Sequence, residues 1–182
     1  MNVLLGVTGS VATTVVGKLV ERLRADGHEV EVVATKSSLY FFKPETLGVK
    51  VWRDEDEWPG DRYMRGQEIP HIELRRWADV LVIAPLDANT LAKLAGGQCD
   101  NLLTCVFRAW DFAKPMIVAP AMNTHMWENP FTHMHLRQLE GLGALGLRLT
   151  IVNPIAKTLA CNDIGMGAMA EIDTIAAALH QP

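Results

Sequence analysis

The sequence is poor in the features that mark secreted, metal-bound and nucleic-acid-binding proteins. Its 182 residues include only three cysteines, Cys99, Cys105 and Cys161, at spacings that match no zinc pattern. An odd number of cysteines does not favour a disulfide framework either, so a reducing compartment fits best. The net charge of -4 provides no general attraction to nucleic acid or to an anionic membrane. We therefore expect a protein that acts on small molecules.

Long hydrophobic runs are also missing. The first apolar run, residues 2–7, is too short to span a bilayer, and it shows neither the basic segment nor the cleavage sequence of a secretion signal. These features predict a cytoplasmic protein without a membrane segment. The hydrophobic share of 49% and the charged share of 21% are ordinary for a globular chain, and the length predicts one domain over residues 1–182.

The turn after the first apolar run lacks both the GxGxxG spacing and the lysine of a P-loop. It reads Gly-Val-Thr-Gly-Ser-Val-Ala over residues 6–12. Glycines and hydroxyls at a helix N-terminus leave backbone N–H groups available for a phosphate. The turn therefore suits a mononucleotide better than a dinucleotide or a nucleoside triphosphate, although an ordinary tight turn has the same composition.

Short apolar runs alternate with helix-length segments along the chain. The predicted strands are residues 3–7, 30–34, 80–84, 116–119 and 147–152, with a further short strand at 49–52. The predicted helices are residues 11–24, 90–95, 102–110, 130–142 and 172–179. This alternation predicts a mainly parallel sheet covered by helices on both faces. Two segments interrupt it: residues 43–70 are expected to form a long surface connection, and residues 153–169 a mobile lid.

Polar side chains follow successive predicted strands. The turn at residues 6–12 is joined by Thr-Lys-Ser-Ser at 35–38, by Asp-Ala-Asn-Thr at 87–90 and by Asn123 after the fourth strand. Ligands of open α/β sheets bind beyond the carboxyl ends of the strands, so these groups predict a ligand site at one edge. Asn123 has two interpretations: it caps the short helix that follows, or its amide binds a polar group of the substrate.

Three further residue types are candidates for chemistry. His71, followed by a carboxylate and two guanidiniums, is either a surface residue or an acid–base group working near neutral pH. Arg75 and Arg76 are either surface charges or partners of a phosphate or carboxylate. Cys161 lies in a polar loop, where its thiol could serve as nucleophile, redox partner or proton donor.

Six ordered motifs make the sequence similar to a known enzyme family. They are His-Ile-Glu-Leu-Arg-Arg-Trp-Ala-Asp at 71–79, Ala-Pro-Leu-Asp-Ala-Asn-Thr at 84–90, Cys-Asp-Asn-Leu-Leu-Thr-Cys at 99–105, Pro-Ala-Met-Asn at 120–123, Leu-Ala-Cys at 159–161 and Gly-Ala-Met-Ala-Glu at 167–171. Over nearly its whole length the chain resembles the homo-oligomeric flavin-containing cysteine decarboxylases, and within them the branch that acts on 4′-phosphopantothenoylcysteine in coenzyme A biosynthesis. The resemblance implies a Rossmann-like (flavodoxin-like) three-layer α/β/α fold, FMN as cofactor, and a homotrimer or an assembly of trimers.

The resemblance also implies roles for individual residues. His71 matches the base of the oxidative half-reaction, in which the substrate's cysteine moiety becomes a thioaldehyde that releases CO₂. Cys161 matches the residue that protonates the resulting enethiol in the reductive half. Asn123 matches the residue that binds the substrate carboxylate, Met126 a position near the substrate, and Arg76 is expected to reach the phosphate. The residues expected to contact FMN are Gly9, Ser10, Val11, Thr35, Lys36, Ser37, Asp87, Ala88, Asn89, Thr90 and Ala121.

One departure from the family pattern lies in the expected lid, where Asn162 replaces the usual glycine after Cys161. Asparagine tolerates positive φ better than other non-glycine residues, so the turn is expected to survive with altered mobility.

Two alternative functions also follow from the resemblance. Some relatives inhibit a protein phosphatase, but those carry long acidic extensions, and others decarboxylate the C-terminal cysteine of a peptide.

The role implied for Cys161 leads to a direct test. We expect Cys161→Ser to bind FMN and to release CO₂, but to stop at an oxidised enethiol because the proton donor is missing. Mass spectrometry of the product distinguishes this compound from 4′-phosphopantetheine. Recovery of normal 4′-phosphopantetheine from the variant would refute the assignment.

Overall fold

The structure is a computed structural model that describes residues 1–158 and 164–180. Six strands form one parallel sheet: β1 (Asn2–Val7), β2 (Glu29–Ala34), β3 (Val51–Trp52), β4 (Val80–Leu86), β5 (Pro115–Pro120) and β6 (Arg148–Ile151). Their order is β3-β2-β1-β4-β5-β6. This is the order of doubly wound nucleotide-binding sheets, in which the winding reverses between β1 and β4.

Eight α-helices lie in the described ranges. They are α1 (Val16–Ala25), α2 (Asp54–Glu57), α3 (Pro70–Trp77), α4 (Ala88–Ala95), α5 (Leu102–Arg108), α6 (Thr124–Trp127), α7 (Pro130–Gly141) and α8 (Ile172–Ala178). The helix predicted at 11–24 begins with a 3-10 turn, Val11–Val15, before α1. The six predicted strands of the sheet and the five predicted helices are confirmed, with ends that shift by one or a few residues.

Alternate residues of the central strands enter two separate cores. Val3, Leu5 and Val7 of β1 point to the core that contains α1 and α8, whereas Leu4 points to the core that contains α3, α4, α5 and α7. The strands are buried on both faces because side chains alternate along a strand and helices cover both sides. The fold is therefore the expected three-layer α/β/α arrangement.

Helix α3 was not predicted. Both of its ends are held by residues that are distant in sequence. It is only eight residues long and follows a stretch rich in proline and glycine, so its periodicity is weak. At its C-terminus the ammonium group of Lys114 donates to the carbonyl oxygens of Ala78 (2.6 Å) and Arg75 (2.9 Å). Pro70 occupies the first turn, where a missing N–H is tolerated. The helix depends on contacts far apart in sequence, which local patterns do not reveal.

A hairpin of β7 (Ile155–Thr158) and β8 (Ile164–Ala168) occupies much of the segment predicted as a lid. It attaches to the loop after β5, where Met122 N donates to the carbonyl oxygen of Gly167 (2.9 Å). Gly167 has φ of 134°, and a Cβ at this position would overlap the carbonyl oxygen of Met122. Only glycine fits this close approach of two backbones. Cys161 lies outside the described residues.

This contact predicts the effect of adding one methyl group. We expect Gly167→Ala to lower the free energy of unfolding by at least about 1–3 kcal/mol, because alanine is strained at this φ and the hairpin must move away. Thermal unfolding followed by circular dichroism measures the change. Gly143→Ala is the matched control, since a Cβ there meets nothing within 4 Å. Equal melting temperatures for the two variants would contradict the prediction.

Candidate functional site

A cavity of about 750 Å³ opens at the carboxyl edge of the sheet, beside the point where the winding reverses. Its walls come from the loops after β1, β2, β4 and β5, from α6 and the first turns of α1 and α8, and from the β7–β8 hairpin. Cavities of this size accommodate cofactors and other small molecules. The position is the one expected for ligands of doubly wound sheets.

Eight of the residues named as site candidates line this cavity. They are Gly9, Ser10, Val11, Asp87, Ala88, Ala121, Asn123 and Met126. Four further lining residues lie outside the motifs: Val15 and Phe41 are apolar, and Lys18 and Lys157 are cationic. Glu171, from the motif at 167–171, adds an acidic group. Lys157 Nζ and Glu171 Oε1 form an ion pair of 3.3 Å between the hairpin and the start of α8. Sequence patterns missed Val15, Lys18, Phe41 and Lys157 because the chain segments that carry them meet only in the fold.

The carboxylate of Asp87 connects the two central loops. Asp87 Oδ2 accepts a hydrogen bond from Gly9 N (2.9 Å), and Oδ1 accepts one from Thr90 N (2.6 Å), which caps α4. Thr8 adds a second connection, because its hydroxyl accepts from Asp87 N (2.7 Å) and donates to the carbonyl oxygen of Pro85 (2.8 Å). One side chain therefore positions the turn after β1 and begins the helix after β4.

Residues 35–38, at the start of the loop after β2, support the turn after β1 and do not line the cavity, whereas Phe41 further along this loop does. The hydroxyl of Thr35 donates to Val7 O (3.3 Å) and lies 3.2 Å from Ser37 Oγ. A Cβ built on Gly9 would be 2.5 Å from Ser37 Oγ, so this glycine permits close packing of the two loops. Lys36 is exposed beside them. In α4, Asn89 is exposed and Thr90 is buried, and neither faces the cavity.

Asn123 lines the cavity and also caps α6. Its Oδ1 accepts a hydrogen bond from His125 N (2.9 Å), and its backbone is non-helical (φ -59°, ψ 152°), as expected for a capping residue. The two interpretations of this residue are therefore compatible. Met126 lies in the same short helix, with 48% of its surface exposed.

His71 is held by a glutamate that no motif had indicated. Its Nδ1 lies 2.6 Å from Glu57 Oε1, and its backbone N–H donates to Glu57 Oε2 (3.0 Å). The acidic run at 54–57, expected to be part of a surface connection, is helix α2, and the Glu57 side chain is only 6% exposed. Helix α3 packs against α2 and α5, and His71 is not among the residues that line the cavity.

Arg76 and the two cysteines that the structure describes also lie away from the cavity. Arg76 is exposed and donates to Glu73 Oε1 (2.7 Å) on the same helix. Cys105 donates weakly to the carbonyl oxygen of Cys99 (3.5 Å), and burial, aided by nearby negative charge, raises the pKa of its thiol to about 11. Cys99 is exposed. The Cys105 thiol stays protonated near neutral pH, which makes it a poor nucleophile.

Comparisons with known proteins agree with this geometry. The family model described as Flavoprotein matches residues 1–181. The phosphopantothenoylcysteine decarboxylase of Arabidopsis thaliana is 56% identical over 172 residues, which are 93% of this chain and 79% of the relative. A solved cysteine-to-serine mutant of PPC decarboxylase, complexed with pantothenoylaminoethenethiol, superposes with a TM-score of 0.90 at 53% identity and covers 98% of this chain and 95% of the other.

A second solved structure, the FMN binding protein AtHal3, has a TM-score of 0.86 at 53% identity, over 98% of this chain and 94% of the other. The chain belongs to the Flavoprotein family. None of the helices described in this structure is long and apolar enough to cross a membrane.

The contacts of Asp87 predict how an isosteric change affects stability. In Asp87→Asn one carboxylate oxygen becomes an NH₂ group that opposes a backbone N–H of Gly9 or Thr90, so one hydrogen bond is lost. We expect the free energy of unfolding to fall by about 1–3 kcal/mol, measured by chemical denaturation. Asp61→Asn, at an exposed loop position, is the matched control. Unchanged stability of Asp87→Asn would show that the carboxylate does not bridge the two loops.

Proposed function

We propose that the protein catalyses the FMN-dependent decarboxylation of 4′-phosphopantothenoylcysteine to 4′-phosphopantetheine, a step of coenzyme A biosynthesis. The observation that carries the proposal is the cavity itself. It lies at the switch point of a flavoprotein sheet and brings together residues from the motifs at 84–90, 120–123 and 167–171. Relatives that are about half identical over nearly the whole chain bear the name of this decarboxylase.

The residues of the cavity fit FMN. Val15, Phe41 and Met169 provide apolar surface for a flat ring system. Ser10 lies at the start of the helical segment that runs through α1, where backbone N–H groups and the helix dipole favour a phosphate. FMN, when bound, supplies the oxidation of the substrate's cysteine moiety and the later return of the electrons. The protein residues bind, orient and transfer protons.

Asn123 is proposed to bind the carboxylate that is lost as CO₂. Its Oδ1 caps α6, which fixes the orientation of the whole amide, and an amide nitrogen carries two N–H donors that suit a carboxylate. Met126, on the next turn of chain, is proposed to contact the substrate. In the relative crystallised with pantothenoylaminoethenethiol the mutated cysteine is the counterpart we propose for Cys161, the proton donor of the reductive half.

The position of His71 supports the proposal of a site that includes more than one chain. The C-terminal end of α3 lies at the amino edge of the sheet, because Asn2 Nδ2 donates to Trp77 O there (2.9 Å). His71 is at the opposite end of this helix, and therefore lies near the carboxyl edge of the sheet. It projects from the layer opposite α1 and α8, which adjoin the cavity. We propose that the protein is a homotrimer in which His71 of one subunit faces the cavity of the next, and that Arg76 reaches the substrate phosphate in that assembly.

Two alternatives receive less support. A regulatory flavoprotein without catalysis would not need His71 and Asn123 together, and both are present. Decarboxylation of a peptide C-terminal cysteine uses similar chemistry, but the motif at 71–76 resembles the coenzyme A branch more closely. A cytoplasmic location, expected from the sequence, stays a prediction.

The direct test follows CO₂ release and flavin absorbance together after addition of 4′-phosphopantothenoylcysteine. We expect yellow protein with FMN bound, release of CO₂ and formation of 4′-phosphopantetheine with the flavin spectrum restored at the end. Turnover of a peptide with a C-terminal cysteine serves as the comparison. Bound FMN without turnover of either substrate would favour the regulatory alternative.

A shared site predicts complementation between two inactive variants. His71→Asn and Asn123→Asp are each expected to lose activity by roughly 100-fold or more. The two variants are co-expressed with different tags, and trimers that contain both are purified. In a cyclic trimer each site joins the histidine of one subunit to the cavity of the next. About one site in three of a mixed trimer therefore combines an intact cavity with an intact histidine. We therefore expect activity to return toward about a third of the original. Inactive mixed trimers, or a monomeric protein, would contradict the shared site.

A further inference from the structure

We propose that Glu57 is a positioning residue that fixes the ring orientation and the tautomer of His71 for proton transfer. The proposal rests on the proposed function, in which His71 acts as the base. It concerns a residue to which no motif assigns a role, on a helix of four residues that is far from the cavity motifs in sequence.

Both oxygens of the Glu57 carboxylate contact the same histidine. Oε1 lies 2.6 Å from His71 Nδ1, and Oε2 accepts from the backbone N–H of His71 at 3.0 Å. The side chain of Glu57 is 6% exposed, whereas that of His71 is 25% exposed. The glutamate is therefore enclosed, and the histidine ring is the part of the pair that reaches the surface.

A carboxylate only accepts hydrogen bonds, so the proton of the neutral ring lies on Nδ1. This leaves the lone pair on Nε2, the nitrogen that points away from Glu57 and is able to take a proton. In the transfer, an X–H bond of the substrate breaks, its electron pair stays on the substrate, and an N–H bond forms at Nε2. The imidazolium that results lies against the carboxylate, which stabilises the positive charge.

The turn that carries Glu57 is itself fixed. Arg53 N, in the capping residue before α2, donates to Asp56 Oδ2 (2.7 Å). Leu102 N, in the first turn of α5, donates to Asp54 Oδ1 (2.9 Å). Cys105 of α5 is another titratable group near Glu57, and its thiol is neutral near pH 7. Among the residues that the structure describes, Glu57 is the charged group that pairs with the His71 ring.

The test compares Glu57→Gln with Glu55→Gln in the FMN-loaded protein. Glu55 is an exposed residue of the same helical turn, so its variant removes the same charge without the histidine contact. The side-chain oxygen of a glutamine at position 57 accepts one of the two N–H groups of His71, and its NH₂ group opposes the other. We expect kcat of Glu57→Gln to fall by roughly 10- to 100-fold, because a misoriented base loses part of the rate enhancement that a positioned acid–base group contributes. KM is expected to change by less than about twofold. Glu55→Gln is expected to match the original protein.

The second readout is independent of activity. Nitrogen NMR of histidine-labelled protein reports the tautomer, and the signals of His71 are those that disappear in His71→Asn. We expect His71 to be protonated on Nδ1 in the original protein and in Glu55→Gln, and to become a mixture of tautomers in Glu57→Gln. If Glu57→Gln does not fold, Glu57→Asp replaces it, because the shorter side chain cannot span both N–H groups.

Each outcome decides one question. An Nε2-protonated His71 in the original protein, or a changed tautomer with unchanged kcat, overturns the proposal for Glu57. If the original protein turns over no cysteine substrate, the proposed function fails, and the tautomer measurement alone decides whether Glu57 controls the ring. If His71→Asn retains full activity, the role of His71 as base is wrong, even where the tautomer is as expected.

Discussion

The carboxylate of Asp87 is the contact on which the site depends. β1 and β4 are adjacent in the sheet, but 72 residues separate the end of β1 from the start of β4. No short covalent connection therefore fixes the distance between the loops that follow these two strands. Asp87 joins them with one oxygen for each loop. The cavity beside this contact exists because the winding of the sheet reverses there, which separates the helices on the two sides. The same contact that begins α4 therefore also shapes the cavity wall.

The two layers of helices contain different parts of the proposed site. The layer of α1 and α8 adjoins the cavity, together with the hairpin and the loop after β5. The opposite layer contains His71, Glu57 and the buried core around α5. The proposed binding groups and the proposed base are consequently on separate sides of one sheet within a single chain. A cyclic assembly brings such sides together, because each subunit then offers a different face to each neighbour.

Sequence patterns predicted the parallel sheet well because each buried strand is a short apolar run between turns. The same reasoning predicted the site edge, since Gly9, Asp87 and Asn123 each follow a strand end. Patterns did not predict α3, whose position depends on Lys114 and Glu57, or the burial of one residue in an acidic run. An acidic run looks like a solvated surface, and nothing local shows that a histidine 14 residues later covers one of its carboxylates. The lining lysines were missed for the same reason.

The anchoring of helix α3 has a consequence for how the proposed site can change in evolution. Its N-terminus is held by Glu57 and its C-terminus by the ammonium of Lys114, and neither anchor belongs to the helix. Transplanting residues 70–77 into another protein would carry the histidine without the two supports that locate it. The segment is therefore not a portable module. Its position is inherited together with the turn at 53–57 and the strand start at 114–115, so recombination points between them would separate the helix from the residues that hold it.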